Sequence, residues 1–392
     1  MAYLLKTPPP EERIQILGKS AEFDVCGVPR LFSRKPKKLQ RFKFIYPAVG
    51  KKGFVRLFKV LQTNCCEGNC FYCANRKDRE FYRISFTPEE LARLFINYYK
   101  KGLVDGLFLS SAIYNSPTKA QEETFKTLLL VRKKYGYTGY VHYKILPGAD
   151  FSLIEKSAEL ADRLSINLEA PGSFYLKKLS PTKKFSAHLL KGLSQISKIN
   201  KEKKLKAGIT TQLVVGAAGE KDREIINFSY FLYKKYNLWR VYYSGFFPIR
   251  NTPLDTVPPC SSLRELRLYQ ADFLIRKYGF SPKELPFRED GNLPVDKDPK
   301  LLWALSHPDK FPVEINKADY FELLRVPGIG HISAERIIKK RREKKIKTLQ
   351  ELKETGCVVK RARNFVTLDG RFYPSAKAPV SDDSQLFIWE EL

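Results

Sequence analysis

Four of this chain's seven cysteines fall within nine consecutive positions, and this clustering restricts the fold more than any other feature of the 392 residues. The clustered residues are Cys65, Cys66, Cys70 and Cys73. An odd number of cysteines without a paired framework argues against a disulfide-stabilised domain. Thiolates bind soft metals and iron–sulfur clusters tightly, so the segment predicts a metal or cluster site.

The spacing distinguishes two kinds of thiolate site. A closed zinc site needs four ligands, commonly as two separated pairs or with histidine, and the sequence offers neither near this segment. Read from Cys66, the pattern is Cys-x3-Cys-x2-Cys, with Tyr72 before the last cysteine. We predict Cys66, Cys70 and Cys73 as the ligands and Cys65 as a neighbour, although the Cys65-x4-Cys70 spacing offers a second register.

Strand-like and helical runs alternate from residue 54 to residue 246. The predicted strands are 54–62, 104–110, 139–146, 164–169, 208–215 and 239–246. Alternation of this kind predicts an α/β fold with a parallel sheet, and periodicity alone leaves a barrel and a doubly wound sheet open. In a barrel the cysteines would follow the first strand, at the carboxyl edge where active sites lie.

The cysteine motif resembles that of the radical S-adenosylmethionine (SAM) superfamily. This resemblance implies an enzyme with a partial (β/α)6 TIM-type barrel, a [4Fe-4S] cluster on Cys66, Cys70 and Cys73, and SAM on the remaining iron. Reduction of such a cluster cleaves SAM to a 5′-deoxyadenosyl radical. The cofactor carries the difficult chemistry and the protein supplies geometry and exclusion of solvent.

The same resemblance implies cofactor contacts at the strand ends. The expected SAM-binding residues are Tyr72, Ser110, Ser111, Ala112, Asn167, Glu169, Gln212, Val215 and Gly216. Ser110-Ser111-Ala112 stands where many relatives carry Gly-Gly-Glu, so only a backbone role is carried over there. For Glu169, an ion pair with a basic residue is an equal alternative.

Two further residues are candidates for the chemistry itself. Strand alternation turns Tyr242 or Tyr243 into the barrel, and we take Tyr243 as a catalytic candidate against the alternative of core packing. Cys260 follows the last strand and is a candidate hydrogen-atom donor, although a thiol without chemistry is the commoner case.

The chain carries a large positive charge. It has 70 Lys and Arg residues against 42 Asp and Glu, a formal charge of +28, and residues 30–59 contain basic but no acidic side chains. This excess favours a polyanionic partner over a merely solvated surface. No signal peptide or membrane span is evident, which predicts a cytoplasmic protein without a membrane partner.

The segment 314–342 resembles a helix-hairpin-helix motif. Asn316 is expected to cap a first helix with Phe321 and Leu324 on its apolar face. In Val-Pro-Gly-Ile-Gly, Gly328 and Gly330 would present backbone amides to a DNA phosphate. Backbone contacts are expected from Lys339, Lys340, Arg341 and Arg342. Protein contact is the alternative role for such a hairpin.

Together, the barrel and the hairpin resemble the DNA modification/repair radical SAM proteins, a family without an assigned reaction. The resemblance implies DNA as substrate, an electron donor such as flavodoxin or ferredoxin, and a uracil-DNA-glycosylase-like partner. Alternatives are an RNA- or tRNA-modifying radical SAM enzyme and a non-catalytic iron–sulfur DNA-binding protein. The expected domains are a basic extension (1–50), the barrel (51–280), a proline-rich connector (281–312), a small all-α hairpin domain (313–370) and a tail (371–392).

Overall fold

The computed structural model describes residues 8–24, 41–50 and 53–375. Cys26, much of the basic block at residues 30–59, and the predicted tail beyond residue 375 lie outside these residues. The described chain forms two compact units. The barrel unit contains the residues up to Glu220 together with Phe231–Glu265, and the C-terminal unit contains Lys221–Tyr230 and the residues from Leu266 onward.

The barrel unit is built on a seven-stranded sheet whose strand order follows the chain. The strands are β1 (Ile45–Gly50), β2 (Gly53–Leu61), β3 (Gly106–Ser110), β4 (Val141–Lys144), β5 (Arg163–Ser165), β6 (Ile209–Val215) and β7 (Arg240–Gly245). Strands β2 to β7 pair in parallel, as the alternation predicted. Every residue of β3 and β6 is buried, because a parallel strand is covered on both faces.

Helices precede, connect and follow these strands. They are α1 (Pro10–Ser20), α2 (Pro88–Lys100), α3 (Pro117–Leu129), α4 (Phe151–Ala158), α5 (Ser173–Lys177), α6 (Lys191–Lys203), α7 (Asp222–Tyr236) and α8 (Ser262–Tyr278). The sequence Thr-Pro-Glu-Glu at residues 87–90 predicts a capped helix start, and Thr87 and Glu90 form this capping box at the start of α2. The same Glu90 accepts a hydrogen bond of 2.7 Å from Arg13, which fastens α1 to this connection.

The sheet differs from the expectation at two places. Strand β1 lies within the predicted basic extension and pairs antiparallel with β2, which adds an edge strand to the six parallel ones. The predicted strand 164–169 ends at Ser165, and Glu169 makes only an isolated bridge to Leu213. Glu169 has a φ of +67°, a conformation that is rare for a residue with a side chain. The backbone therefore departs from strand geometry at this residue.

The C-terminal unit is helical, with a small three-stranded sheet in addition. Its helices and strands are α9 (Pro299–Ser306), β8 (Val313–Glu314), α10 (Tyr320–Arg325), α11 (His331–Glu343), α12 (Leu349–Glu354), α13 (Val359–Ala362), β9 (Val366–Leu368) and β10 (Arg371–Phe372). None of the helices among the described residues has the length and apolar character to cross a membrane.

The first helix of the predicted motif begins later than expected. Asp319, not Asn316, caps α10, because its carboxylate accepts a hydrogen bond from the Glu322 amide. The Asn316 side chain instead exchanges hydrogen bonds with the backbone of Ile346. Leu324 is fully buried, whereas Phe321 is 59% exposed and lies outside the core.

Candidate functional site

A cavity opens at the carboxyl ends of the parallel strands in the barrel unit. It contains about 1210 Å³ of empty space, its open mouth included. Its lining includes the residues Cys66, Cys70, Tyr72, Cys73, Ser110, Ser111, Ala112, Asn167, Glu169 and Gln212. Consecutive parallel strands end at the same edge of a sheet, so residues as distant in the sequence as Cys66 and Gln212 meet here.

The cysteine loop is held by hydrogen bonds at its base. Asn64 is fully buried, accepts a hydrogen bond of 2.8 Å from the Ile84 amide and donates one of 3.0 Å to the Tyr82 carbonyl. The guanidinium of Arg83 donates to the carbonyls of Asn64 and Arg76. The loop is therefore closed between β2 and α2 without regular secondary structure, and its cysteines are held in place by backbone contacts.

Three of the four clustered thiols line the cavity. The Gly68 amide donates to the Cys66 sulfur at 3.3 Å, and the Asn75 amide donates to the Cys73 sulfur at 3.4 Å. Burial, together with the nearby Cys70 and Cys66 thiols, raises the pKa of Cys73 to about 12.

Cys65 is placed differently from the other three. It does not line the cavity, and its sulfur lies 3.8 Å from the Ser85 hydroxyl. Its backbone amide donates to the Thr63 hydroxyl at 3.1 Å. Of these two adjacent cysteines, Cys66 lines the cavity and Cys65 does not.

The donor set fits a [4Fe-4S] cluster with three protein ligands. The cavity lining holds three cysteines, with no histidine and no fourth cysteine among the described residues. Within the same described part of the chain, no group of three His, Cys, Asp or Glu residues is arranged around a single ion. A cluster places each thiolate on its own iron, so convergence on one point is not needed. Backbone amides directed at two of the sulfurs are the contacts that stabilise cluster thiolates.

Tyr72, Glu169 and Lys183 form a polar group beside the thiols, in which Glu169 is buried and the other two are half-buried. Lys183 donates a hydrogen bond of 2.7 Å to Glu169 and one of 3.4 Å to the Tyr72 hydroxyl. Burial and the Glu169 carboxylate raise the pKa of Tyr72 well above its ordinary value. Burial lowers the pKa of Lys183, but the Cys70 and Glu169 charges outweigh this and leave it raised. Glu169 thus has the ion pair that was its alternative role and also faces the cavity.

Asp24 reaches the floor of the same cavity from outside the sheet. Its carboxylate pairs with Lys144 and accepts a hydrogen bond of 3.4 Å from Ser110. The neighbouring Phe23 carbonyl accepts a hydrogen bond of 3.0 Å from Gln212. Burial raises the pKa of Asp24, but attraction by Lys144 and the hydrogen bond between the two outweigh this, so the pKa lies below 3.8.

We expect Asp24→Asn to lower the free energy of unfolding by about 3 kcal/mol at neutral pH, because Lys144 loses its counter-ion in a largely buried place. A carboxyl group whose pKa is lower in the folded than in the unfolded protein stabilises the fold at any pH above its unfolded-state pKa. This contribution is lost as the pH falls through the folded-state pKa. The difference between variant and wild type should therefore shrink as the pH falls below 3.8. Urea unfolding at several pH values measures this difference in the free energy of unfolding.

Glu123→Gln, which breaks an exposed pair with Lys126, is the control and should lower the free energy of unfolding by less than about 0.5 kcal/mol. Equal effects of the two substitutions would contradict the buried-pair interpretation.

Four of the predicted site residues do not line the cavity. They are Val215, Gly216, Tyr243 and Cys260. The side chain of Val214 lines it instead, and Tyr242 borders a small internal cavity beneath it.

Cys260 packs on the backbone behind the strand ends. A Cβ placed on Gly216 would lie 3.0 Å from the Cys260 Cβ, and one placed on Gly245 would lie 3.5 Å from it. The Gly216 amide donates to the carboxylate of Glu220, which also accepts from the Ala218 amide at 3.0 Å. This turn is therefore organised by Glu220, a role that the sequence interpretation did not assign.

Three charged residues at the cavity were not predicted: Asp24, Lys144 and Lys183. Lys144 lies near the carboxyl end of the predicted strand 139–146 and ends the observed strand β4, and this position could have identified it. Asp24 precedes the whole sheet, and nothing in its local sequence indicates that it enters the barrel.

In the C-terminal unit the predicted hairpin joins α10 to α11. Gly328 has a φ of +88°, and a Cβ on it would lie 2.6 Å from the Val358 carbonyl oxygen. Gly330 caps α11, and no side chain bonds to this helix end. The first amides of a helix lack partners within it, so they are available to an anion. The Lys300 ammonium donates to the Ile329 carbonyl and fastens the hairpin from α9.

The four basic residues predicted on α11 fall into two pairs. Arg341 donates to the carbonyls of Ile315 and Ala318 at 2.8 and 2.7 Å, and Lys340 forms a 2.7 Å ion pair with Glu354. Lys339 and Arg342 are exposed and make no hydrogen bond or ion pair within the described residues. The latter two are thus the better placed for an external phosphate.

Two family models match this chain. The radical SAM superfamily matches residues 60–231, which contain the cysteine loop and strands β3 to β6. The helix-hairpin-helix motif matches residues 309–357, which contain α10, α11 and α12.

Comparison with individual proteins gives more distant similarities. An uncharacterized protein of Methanocaldococcus jannaschii, MJ0785, is 24% identical over 216 residues, and the match spans 52% of each chain, so this chain covers about half of that relative's length. The solved structure of HydG, a maturase of the [FeFe]-hydrogenase, has 14% identity and a TM-score of 0.45, over 68% of this chain and 61% of that one. A radical SAM methyltransferase from Sphaerobacter thermophilus has 13% identity and a TM-score of 0.42, over 66% and 85%.

Proposed function

From the premise that residues 60–231 are a domain of the radical SAM superfamily, which uses a [4Fe-4S] cluster and SAM, we propose that this protein is a DNA repair or DNA-modification enzyme. The observation that carries the proposal is the presence in one chain of a three-cysteine cavity and a helix-hairpin-helix motif. The first supplies a place for radical chemistry, and the second supplies a phosphate-binding element that does not depend on base sequence.

In the proposed site Cys66, Cys70 and Cys73 hold the cluster. When bound, the cluster would pass one electron to SAM, whose cleavage yields a radical able to abstract a hydrogen atom. A donor of the flavodoxin or ferredoxin class would provide that electron. The remaining contributions come from the chain itself. The Gly68 and Asn75 amides stabilise charge on the ligand sulfurs, and the cavity walls limit access of water.

Polar residues at the strand ends orient the cofactor and the substrate. Glu169 and Asn167 present oxygen acceptors to the cavity, and Lys183 holds the Glu169 carboxylate in place. Ser110 and Ser111, with Ala112, are small enough to let a ligand approach the backbone after β3. Arranged in this way, the site would hold a polar ligand beside the thiols while the hairpin keeps the protein on its polymer.

An anaerobic assay tests the proposal. The purified protein is reconstituted with iron and sulfide, SAM and a reductant are added, and 5′-deoxyadenosine is quantified with and without oligonucleotides. The DNA strands carry uracil, a pyrimidine dimer or no lesion, and a matched RNA is included. We expect a DNA strand to stimulate formation of 5′-deoxyadenosine because substrate binding orders the site.

Each alternative has its own outcome in this assay. Stimulation by RNA but not by DNA would favour the RNA-modifying alternative. An intact cluster that binds DNA but never cleaves SAM would favour the non-catalytic iron–sulfur alternative. Both nucleic acids must be compared at two salt concentrations, because charge alone binds either.

A further inference from the structure

An exposed aromatic ring stands at the mouth of the cavity. Phe247 follows β7 and lines the cavity, yet it is 54% exposed, whereas the preceding Phe246 is 3% exposed. Within the described residues no aromatic ring or cation contacts the Phe247 ring. Large apolar side chains exposed at a pocket are typical of ligand-binding surfaces, because their exposure is not explained by packing.

Two arginines are connected with the segment that carries this ring. Arg79, from the cysteine loop, donates a hydrogen bond of 3.1 Å to the Arg250 carbonyl and so ties the loop to the segment after β7. The side chain of Arg250 is exposed and has no hydrogen bond or ion pair in the described part of the chain. Arg250 follows Phe247 by three residues. An exposed aromatic ring and an exposed guanidinium on one short segment are the two kinds of group that bind a base and its phosphate.

The depth of the cavity restricts what can reach the thiols. Its floor is closed by the Asp24–Lys144 pair, and its empty space is about 1210 Å³ with the mouth included. A cavity at the strand ends of one barrel holds a single small ligand, and a duplex, whose major groove alone is about 12 Å wide, is far larger. A nucleotide must therefore leave its stack to enter.

We propose that Phe247 is the platform on which one unstacked nucleobase stacks at the cavity mouth, with Arg250 pairing to its phosphate. This inference rests on the proposed function and specifies its substrate as a nucleotide that is flipped or already single-stranded. Every base has a π-face, so stacking on an aromatic ring does not distinguish one base from another. Phe247 therefore sets how deeply and in which orientation the nucleobase enters the cavity, and polar groups inside the cavity select the base.

Binding of a short single-stranded DNA to the reconstituted protein with SAM, measured by fluorescence anisotropy, tests the inference. Loss of one base–aromatic stack weakens binding on the order of tenfold, so Phe247→Ala should raise the Kd by about that factor. Phe247→Trp should restore binding to within about twofold, since its ring stacks at least as well. Phe231→Ala, which removes a 44% exposed ring on α7 away from the cavity, is the matched control and should leave the Kd unchanged.

Folding is monitored by the iron content and the unfolding midpoint of each variant. A photocrosslink from 5-iodouracil in the same strand should map to Phe247. If Phe247→Ala binds the strand with the wild-type Kd, or if the crosslink maps to another residue, this inference is overturned and the proposed function stands. A wild-type protein that binds no DNA would overturn the proposed function, which is a different result.

Discussion

Replacing Cys66, Cys70 or Cys73 by serine should abolish the formation of 5′-deoxyadenosine, a loss on the order of a thousandfold or more relative to the wild type. Each serine removes one thiolate from a set of three that line the same cavity. A hydroxyl is a poor ligand for a soft iron site, so the cluster is lost or becomes labile. Iron and sulfide content, the visible absorption of the reconstituted protein and product formation measure the effect.

Cys65→Ser is the matched control because Cys65 adjoins the proposed ligand Cys66 in the sequence but does not line the cavity. It should keep its iron and most of its activity. If Cys65→Ser lost the cluster while Cys66→Ser kept it, the register would be the Cys65-x4-Cys70 alternative. If all four variants kept a cluster, the three-thiolate assignment would fail.

Gly328→Ala should weaken DNA binding by at least about tenfold, because the hairpin cannot keep its shape with a Cβ at this position. The new atom would lie 2.6 Å from the Val358 carbonyl oxygen and 3.0 Å from the Arg361 Cβ. The backbone must also hold a φ of +88°, which alone costs a residue with a side chain about 1–2 kcal/mol. Anisotropy with a DNA duplex and urea unfolding measure the two consequences.

Gly370→Ala separates backbone strain from the loss of the hairpin. Gly370 has a φ of +77°, but no atom lies within 4 Å of its added Cβ. This variant should lose about 1–2 kcal/mol of stability and keep its DNA affinity.

Lys339→Gln should keep the hairpin and reduce the slope of log K for DNA binding against log salt concentration by about 1. Unchanged DNA binding by Gly328→Ala would contradict a role for the hairpin.

Local sequence was sufficient to predict the elements whose chemistry depends on spacing. The Cys-x3-Cys-x2-Cys pattern, the capping box of Thr87 and Glu90 and the glycines of the hairpin each act over a few residues. The alternation of strands and helices predicted the six parallel strands for a similar reason, because each βαβ unit is a local pattern. The edge strand β1 was missed because it lies in a basic segment that reads as a surface extension.

The choice of which residues in a strand face the cavity was less certain. A strand pattern predicts that side chains alternate between the two faces of the sheet, but it does not predict which face each residue occupies. Of the two neighbouring tyrosines, Tyr242 borders the small cavity inside the barrel and Tyr243 does not, although the sequence favoured Tyr243. Val215 was likewise one residue out of phase with Val214. A shift of one residue moves a side chain to the opposite face of the sheet.

The sequence by itself therefore determined the cysteine motif, the parallel sheet and the helix-hairpin-helix motif, since all three follow from short-range patterns, and the type of cofactor followed from the family that the cysteine motif resembles. Only the tertiary structure decided that Asp24 pairs with Lys144, that Lys183 pairs with Glu169 and that Cys65 lies outside the cavity. These contacts join residues up to 120 positions apart. Their physical origin is the convergence of strand ends at one edge of the sheet, where burial makes ionic side chains pair with whatever opposite charge the fold brings within reach.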